Sequence, residues 1–249
     1  MKRSEILKNI KRHCEAEYAK VGNWVHGINH VQAVVRNGKR LAKMEGMREK
    51  DVFLVELACW LHDLGRVGEN DGLLFLQSNH AEVSYQQSKV LLEPYVRTIG
   101  RESLYKVLQA IREHNLPLIK HPENRISQLL MDADRGAGLN ARGIISNLAY
   151  LRIITCEPVS SIAQARALLP GVTQELVEKN AVATALAQIL SIRAWYYGDT
   201  KQVLTGVAVS PLNTKAARKL YQKGIQEIDC YCNQLAEIIK QRPKQLKTL

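Results

Sequence analysis

Hydrophobic residues recur along this chain three or four positions apart, which is the spacing of an α-helix, and no stretch shows the convincing alternation of a β-strand. Glycine, proline and asparagine interrupt this pattern and mark the ends of the helices. The pattern therefore predicts an all-α protein. The predicted helices cover 3–20, 29–44, 50–64, 79–92, 101–114, 124–134, 138–154, 160–169, 173–197 and 212–241.

The interruptions also suggest how the chain is organised. Residues 66–78 contain the strong turn signal Asn70-Asp71-Gly72, and Pro170-Gly171 is expected to separate two helices. We expect an N-terminal helix in 1–21, a helical domain in 22–155 and a helical extension in 156–249 that packs on the same domain. The extension is compatible with a lid, a specificity cap or the surface of a homo-oligomer.

Composition and charge narrow the classes of partner. The hydrophobic content of 46% and the charged content of 24% are ordinary for a globular protein. The net charge of +11 favours small anionic partners such as nucleotides, although a generally basic, well-solvated surface explains it equally well. The basic residues lack interleaved aromatic residues, and no zinc-finger spacing occurs, so a dedicated nucleic-acid module is not favoured.

Cysteine usage and hydropathy predict a cytoplasmic protein. The chain has five cysteines, an odd number, and no C-x-x-C pair, which is typical of reduced thiols. The first residues form a polar amphipathic stretch and not the apolar core of a signal peptide. No apolar run approaches the roughly 20 residues that a membrane span needs, so no membrane partner is expected.

The dipeptide His62-Asp63 is the first sign of chemistry. It follows the apolar run 55–61, so both side chains are expected at the end of a buried helix. A buried carboxylate is costly unless it is paired with a cation or bound to a metal. The position therefore indicates a candidate metal site.

Four further polar residues share helical faces with apolar residues and are expected to point inward. A single inward histidine is usually a satisfied core residue. Several inward histidines and aspartates on consecutive helices favour a shared divalent metal, because one ion would satisfy them together. These residues are His30, His80, His114 and Asp134.

The order His30, His62-Asp63, Asp134 resembles the H…HD…D pattern of the HD-domain metal-dependent phosphohydrolases. The resemblance covers about 22–150 and extends to local motifs. These are His26-Gly-Ile-Asn-His30, Leu61-His62-Asp63-Leu64-Gly65-Arg66 and Met131-Asp132-Ala133-Asp134-Arg135. It implies an HD-domain helical bundle with additional C-terminal helices, in which His30, His62, Asp63 and Asp134 bind metal. His26 is a rival for the first ligand, and Asp132 is a rival for the last.

His80 and His114 resemble the two extra histidines of an HD subset with a binuclear site. The resemblance implies two divalent ions bridged by Asp63. The alternative is a single ion, with His80 and His114 orienting substrate or a metal-bound water. Imidazole and carboxylate ligands suit Fe, Mn, Co, Ni or Zn, and the sequence does not choose among these metals.

The implied reaction is hydrolysis of a phosphomonoester or phosphodiester by a metal-bound hydroxide, with Asp63 at its centre. The substrate would be a nucleotide or a related small phosphate compound. Arg66 and Arg142 are the predicted phosphate contacts, because developing negative charge needs cationic partners. The chain contains neither a G-x-S-x-G elbow nor a P-loop, so acyl chemistry and P-loop phosphoryl transfer are poorly supported.

Departures from the family pattern keep two alternatives open. Ala33 replaces a usual arginine, Gly136-Ala137-Gly138 replaces bulkier residues, and the G-Y-P motif of relatives that cleave cyclic dinucleotides is missing. An HD-type di-iron oxygenase acting on a small polyol or phosphonate would use the same ligands. An inactive HD scaffold that binds nucleotide or RNA is the third interpretation.

Overall fold

The computed structural model confirms the predicted all-α fold. It describes residues 1–21, 25–67, 79–115, 122, 124–197 and 212–245, apart from the side chains of residues 195 and 242–245, and these residues contain helices and no strand. The α-helices are α1 Arg3–Tyr18, α2 Ile28–Met44, α3 Glu49–Leu61, α4 His80–Leu92, α5 Val96–Ile99, α6 Arg101–Glu113, α7 Arg125–Ala137, α8 Ala141–Tyr150, α9 Ile162–Glu178, α10 Val182–Tyr197 and α11 Lys215–Gln245. None of these described helices combines the length and the apolar character needed to cross a membrane.

Side-chain caps explain why several helices begin where they do. The Asn79 side chain accepts a hydrogen bond from the Glu82 backbone N–H and so caps α4. Asn140 and Ser161 cap α8 and α9 in the same way. Each cap satisfies a backbone donor that has no partner inside its helix, and this fixes the first turn.

The chain divides into two compact units. The first unit comprises Met1–Ala137 and Asn213–Ala217, and the second comprises Gly138–Leu212 and Arg218–Leu249. In the first unit, α3 packs against α1, α2, α6 and α7, and nearly all of its residues from 52 to 61 are buried. A helix that is apolar on all sides belongs at the centre of a bundle, so the chain directly after α3 emerges inside the first unit.

Helix α1 supports the end of α3. Its buried residues Ile6, Ile10, Cys14 and Tyr18 are spaced four apart and form one apolar stripe. The Tyr18 hydroxyl donates a hydrogen bond of 3.2 Å to the Trp60 carbonyl in the last turn of α3. That carbonyl is among the last four of the helix, which lack helical partners. The N-terminal helix therefore holds the turn that follows α3.

The second unit contains a polar network of its own. Thr173 of α9 and Tyr231 of α11 share a hydrogen bond of 3.1 Å between their hydroxyl groups. Asp229 accepts hydrogen bonds from Arg193 Nε and the Tyr197 hydroxyl, both at 2.6 Å. These bonds connect α9 and α10 to α11, and the predicted C-terminal helices are present.

The predicted helix break at Pro170-Gly171 is wrong, because α9 continues through both residues. A proline removes one backbone donor, so the carbonyl four residues earlier loses its helical partner. Pro170 is exposed, which leaves that carbonyl accessible to water. Val172 and Leu176 are buried and anchor the following turns. Burial of this apolar face outweighs the local helix-breaking signal.

Gly38 allows close packing of α2 on α3. A Cβ atom at this position would lie 2.5 Å from the Cys59 Sγ and 3.2 Å from a Val55 methyl group. We expect Gly38→Ala to lower the free energy of unfolding by about 1–3 kcal/mol, because both neighbours are buried. Urea unfolding followed by circular dichroism measures this change.

Gly171→Ala is the matched control, because a Cβ atom there meets nothing within 4 Å. It should leave stability unchanged or raise it by about 0.5–1 kcal/mol through its higher helix propensity. Equal stability changes in the two variants would contradict the role assigned to Gly38.

Candidate metal centre

The first unit brings all the predicted ligands together at the ends or on the inner faces of its helices. His30 lies in the first turn of α2, and His62 follows the last residue of α3. His80 begins α4, His114 follows the last residue of α6, and Asp134 lies within α7. The helix predicted to reach residue 64 ends at Leu61, and a 3-10 turn covers Leu64–Arg66. Asp63 therefore lies in the turn between these two elements.

Backbone carbonyl groups fix the orientation of two imidazole rings. His62 Nδ1 lies 2.9 Å from the Cys59 carbonyl oxygen, and His114 Nδ1 lies 2.6 Å from that of Ile111. A carbonyl oxygen only accepts, so each Nδ1 donates, and in the neutral ring the lone pair is on Nε2. Both Nε2 atoms face Asp63, at 3.4 Å from a carboxylate oxygen. This is the orientation that metal-binding histidines require.

One carboxylate oxygen of Asp63 defines the first subsite. Asp63 Oδ2 lies 3.4 Å from His62 Nε2 and 3.7 Å from His30 Nε2. Asp134 Oδ1 lies 3.1 Å from His30 Nε2 and 3.8 Å from His62 Nε2. The first subsite therefore consists of His30, His62, Asp63 and Asp134.

The other oxygen of Asp63 defines the second subsite. Asp63 Oδ1 lies 3.4 Å from His114 Nε2 and 3.7 Å from His80 Nε2. The second subsite therefore consists of Asp63, His80 and His114. Asp63 thus directs one carboxylate oxygen to each subsite.

The candidate ligand atoms lie close enough together to hold a metal ion. Among the described residues, the candidate ligand atoms of His30, His62 and Asp134 all lie within 4.8 Å of one another. The same is true of His62, Asp63 and His114, whereas His80 belongs to neither group. Imidazole and carboxylate are the donors that first-row divalent metals bind.

Two buried nitrogen atoms give independent evidence that an ion fits the first subsite. His30 Nε2 and His62 Nε2 are buried and make no hydrogen bond to any described residue. Buried polar atoms are rarely left without a partner, and each case calls for an explanation. A cation between these nitrogens and the carboxylates of Asp63 and Asp134 would satisfy them.

The electrostatics of the cluster also favour a cation. Burial lowers the pKa of His62, but the carboxylates of Asp63 and Asp134 outweigh this effect and raise it to about 9. Burial would raise the pKa of Asp63, but His62 and Arg66 hold it well below its usual value. A lone pair with such a high affinity for a proton is also well placed to bind a metal ion.

The second subsite differs in its charge balance. Burial lowers the pKa of His80 to about 3, so this ring is neutral at physiological pH. The Arg66 guanidinium lies beside it, with Arg66 Nη2 at 3.1 Å from His80 Nε2. Arg66 Nε donates a second hydrogen bond of 3.1 Å to Asp63 Oδ1. Arg66 is only 5% exposed. Its contact with phosphate stays a prediction.

Gly65 allows the 3-10 turn to approach α4. A Cβ atom on Gly65 would lie 2.3 Å from the His80 carbonyl oxygen, so a larger residue does not fit. The Gly65 N–H donates to the Ser84 hydroxyl at 2.8 Å. Sequence reasoning missed the role of Ser84, because a serine inside a helix carries no distinguishing local signal. The contact fixes Asp63 and Arg66 relative to His80.

The other predicted arginine belongs to the second unit. Arg142 lies in the first turn of α8, and its Nε donates a hydrogen bond of 2.9 Å to the Val159 carbonyl. The role of Arg142 as a phosphate contact stays a prediction.

The structure separates the alternative ligands of the α7 helix. Asp132 is buried, and its carboxylate accepts hydrogen bonds from the backbone N–H groups of Asn213 and Thr214 at 2.6 and 2.9 Å. Asp134 faces His30. Asp132 therefore anchors the segment before α11, and sequence reasoning missed this role because its partners lie about eighty positions away.

The rival histidine at the start of α2 lies beside the first subsite. The His26 and His30 rings meet edge to face, with their centroids 5.8 Å apart. It is His30 whose Nε2 approaches both carboxylates, so the geometry favours His30 over His26 as the ligand.

A family model of the HD domain matches residues 27–138. The match includes all the residues of both subsites. Residues 27–138 of this chain are an HD domain. The resemblance predicted from the H…HD…D order is thereby confirmed. HD domains bind divalent metals, and the described part of this domain contains a His/Asp cluster that could hold a metal ion.

The chain is similar to two solved structures. A protein from Lactobacillus plantarum is 18% identical and aligns over 95% of this chain and 97% of its own, with a TM-score of 0.57, so the two share a fold. A predicted HD superfamily hydrolase from an uncultured Thermotogales bacterium is 25% identical over 72% of this chain and 91% of its own, with a TM-score of 0.44. No curated protein matches the chain.

Two aspartates on α7 provide a matched test of the metal centre. Asp134→Asn should weaken metal binding by more than about 100-fold, because it removes a charged ligand from the first subsite. Isothermal titration with Mn²⁺ measures the affinity, and circular dichroism checks that the helices remain.

Asp132→Asn serves as the control. It should bind Mn²⁺ with the affinity of the wild type but lose about 1–3 kcal/mol of stability, because the amide accepts fewer hydrogen bonds from Asn213 and Thr214. Loss of metal by Asp132→Asn with retention by Asp134→Asn would reverse the assignment.

Proposed function

We propose that this protein is a metal-dependent phosphohydrolase that cleaves a phosphomonoester or phosphodiester. The observation that carries the proposal is the convergence of His30, His62, Asp63 and Asp134 in an HD domain, with two buried imidazole nitrogens that have no hydrogen-bond partner among the described residues. When bound, a divalent ion at these ligands supplies Lewis acidity, which acidifies water and polarises a phosphoryl oxygen.

The chain's own residues prepare the site for this chemistry. The carbonyl groups of Cys59 and Ile111 orient the rings of His62 and His114, so these ligands need no rearrangement. Asp63 presents one oxygen to the first subsite and the other to Arg66. The guanidinium adds a fixed positive charge beside the cluster, which favours negative charge developing on a phosphoryl group.

Exposure indicates from which side a substrate reaches the cluster. The side chains of Asp134 and His30 are 26% and 16% exposed. Those of His62, Asp63, His80 and His114 are almost completely buried. A phosphate group therefore approaches from the side of His30 and Asp134, and the second subsite forms the deep end of the centre.

Overall charge supports an anionic substrate. A net charge of +11 attracts phosphate compounds and raises their encounter rate. We propose a small nucleotide or a related phosphate ester as the substrate class. The cytoplasmic location and a homo-oligomeric state stay predictions. So does the binding of two ions.

Asp63→Ala tests the reaction class. Because Asp63 contacts both subsites, the variant should lose at least about 100-fold in hydrolysis of p-nitrophenyl phosphate, bis-p-nitrophenyl phosphate and nucleotides with Mn²⁺ or Co²⁺. Its helical content should remain. Asp51→Asn is the matched control, because Asp51 lies in the first turn of α3, at the end opposite to Asp63, and pairs with Arg48.

Three other results would contradict the proposal. Unchanged hydrolysis by Asp63→Ala would remove the mechanism. Iron-dependent consumption of oxygen without anaerobic hydrolysis would favour the di-iron oxygenase. Salt-sensitive binding of RNA or nucleotide by a metal-free protein without activity would favour the inactive scaffold.

A further inference from the structure

The second subsite contains a cation that belongs to the chain itself. Its three ligand side chains, Asp63, His80 and His114, are at most 4% exposed, and the Arg66 side chain beside them is 6% exposed. Arg66 Nε and Nη2 each lie 3.1 Å from one of these ligands, Asp63 Oδ1 and His80 Nε2 respectively. The guanidinium therefore contacts two of the three groups that a second ion would need.

The hydrogen bond from the Arg66 guanidinium occupies the lone pair with which His80 would bind a metal ion. Arginine stays protonated and its nitrogens only donate, so His80 Nε2 must be the acceptor of its hydrogen bond. The neutral imidazole has one acceptor nitrogen, and that lone pair cannot also bind a metal ion. Asp63 Oδ1 likewise accepts from Arg66 Nε. A second ion would have to displace both bonds.

The first subsite contrasts with this arrangement. His30 Nε2 and His62 Nε2 have no hydrogen-bond partner among the described residues, and both face carboxylate oxygens. No guanidinium of a described residue contacts His30 Nε2 or His62 Nε2, whereas the permanently charged Arg66 guanidinium contacts two ligands of the second subsite. Two positive centres on either side of one carboxylate are the charge pattern of a binuclear site.

We propose that the Arg66 guanidinium replaces the second metal ion, so that this HD domain binds one divalent ion and uses one arginine. The inference rests on the metal site of the proposed function but not on its phosphate chemistry. His80 then positions Arg66, and His114 remains a partner of Asp63.

Metal stoichiometry tests the proposal without any activity measurement. Wild-type protein saturated with Mn²⁺ and freed of excess ion should contain about one ion per chain by elemental analysis. Arg66→Met removes the charge and the donors but retains an extended side chain, and it should contain about two ions, because the Arg66 hydrogen bonds to Asp63 Oδ1 and His80 Nε2 are then removed. The double variant Arg66→Met/His114→Ala should return to about one.

Arg112→Met is the matched control. Arg112 also pairs with a carboxylate, that of Glu82 at 2.7 Å, but its side chain is 61% exposed and it lies outside both subsites. This variant should retain the wild-type stoichiometry of about one ion. A gain of an ion in Arg112→Met would show that the loss of any nearby positive charge is sufficient for a second ion to bind, and it would contradict the role assigned to Arg66.

Electron paramagnetic resonance of the Mn²⁺-loaded wild type keeps the test independent of whether the variants fold. The proposal expects the hyperfine signal of isolated Mn²⁺, and the signal of a spin-coupled pair would overturn it. About two ions in the wild type, or no gain in folded Arg66→Met, would also overturn it. Failure of the wild type to bind any metal would overturn the proposed function as well. Binding of two ions would overturn only the role of Arg66, so the two failures are distinguishable.

Discussion

The buried carboxylate of Asp63 is the group on which the rest of the centre depends. It is 3% exposed, and an ionised carboxylate in such a place is stable only with partners of opposite charge. Its two oxygens divide these partners, with His30 and His62 near one and Arg66 and His114 near the other. Removal of any partner leaves part of a buried charge uncompensated, which constrains the helices that carry these residues.

The end of helix α3 places Asp63 among these partners. The most apolar helix, α3, lies at the centre of the first unit and ends one residue before His62. The unpaired carbonyl groups in its last turn accept hydrogen bonds from Tyr18 and from His62. One short region therefore completes a helix, orients a ligand and places Asp63. Ser84 adds the contact that holds the following turn against α4.

Much of this architecture was predictable from local patterns. Helical periodicity predicted the α-helices of the first unit to within a few residues, except the one-turn helix α5, and the order His30, His62-Asp63, Asp134 predicted the HD domain. The break at Pro170 was wrong, because proline weakens a helix locally while burial of Val172 and Leu176 stabilises it. Residues 68–78 of the loop predicted at 66–78, and residues 198–211 between the last two predicted helices, lie outside the described residues.

The sequence by itself determined the kinds of ligand and the helices that carry them, because both follow from residue type and spacing within one element. Only the tertiary structure decided that Asp134 faces His30 while Asp132 accepts hydrogen bonds from Asn213 and Thr214. It also decided that Arg66 points inward to His80. The physical reason is distance along the chain: contacts between residues many positions apart depend on how the helices pack, and residue spacing does not encode that packing.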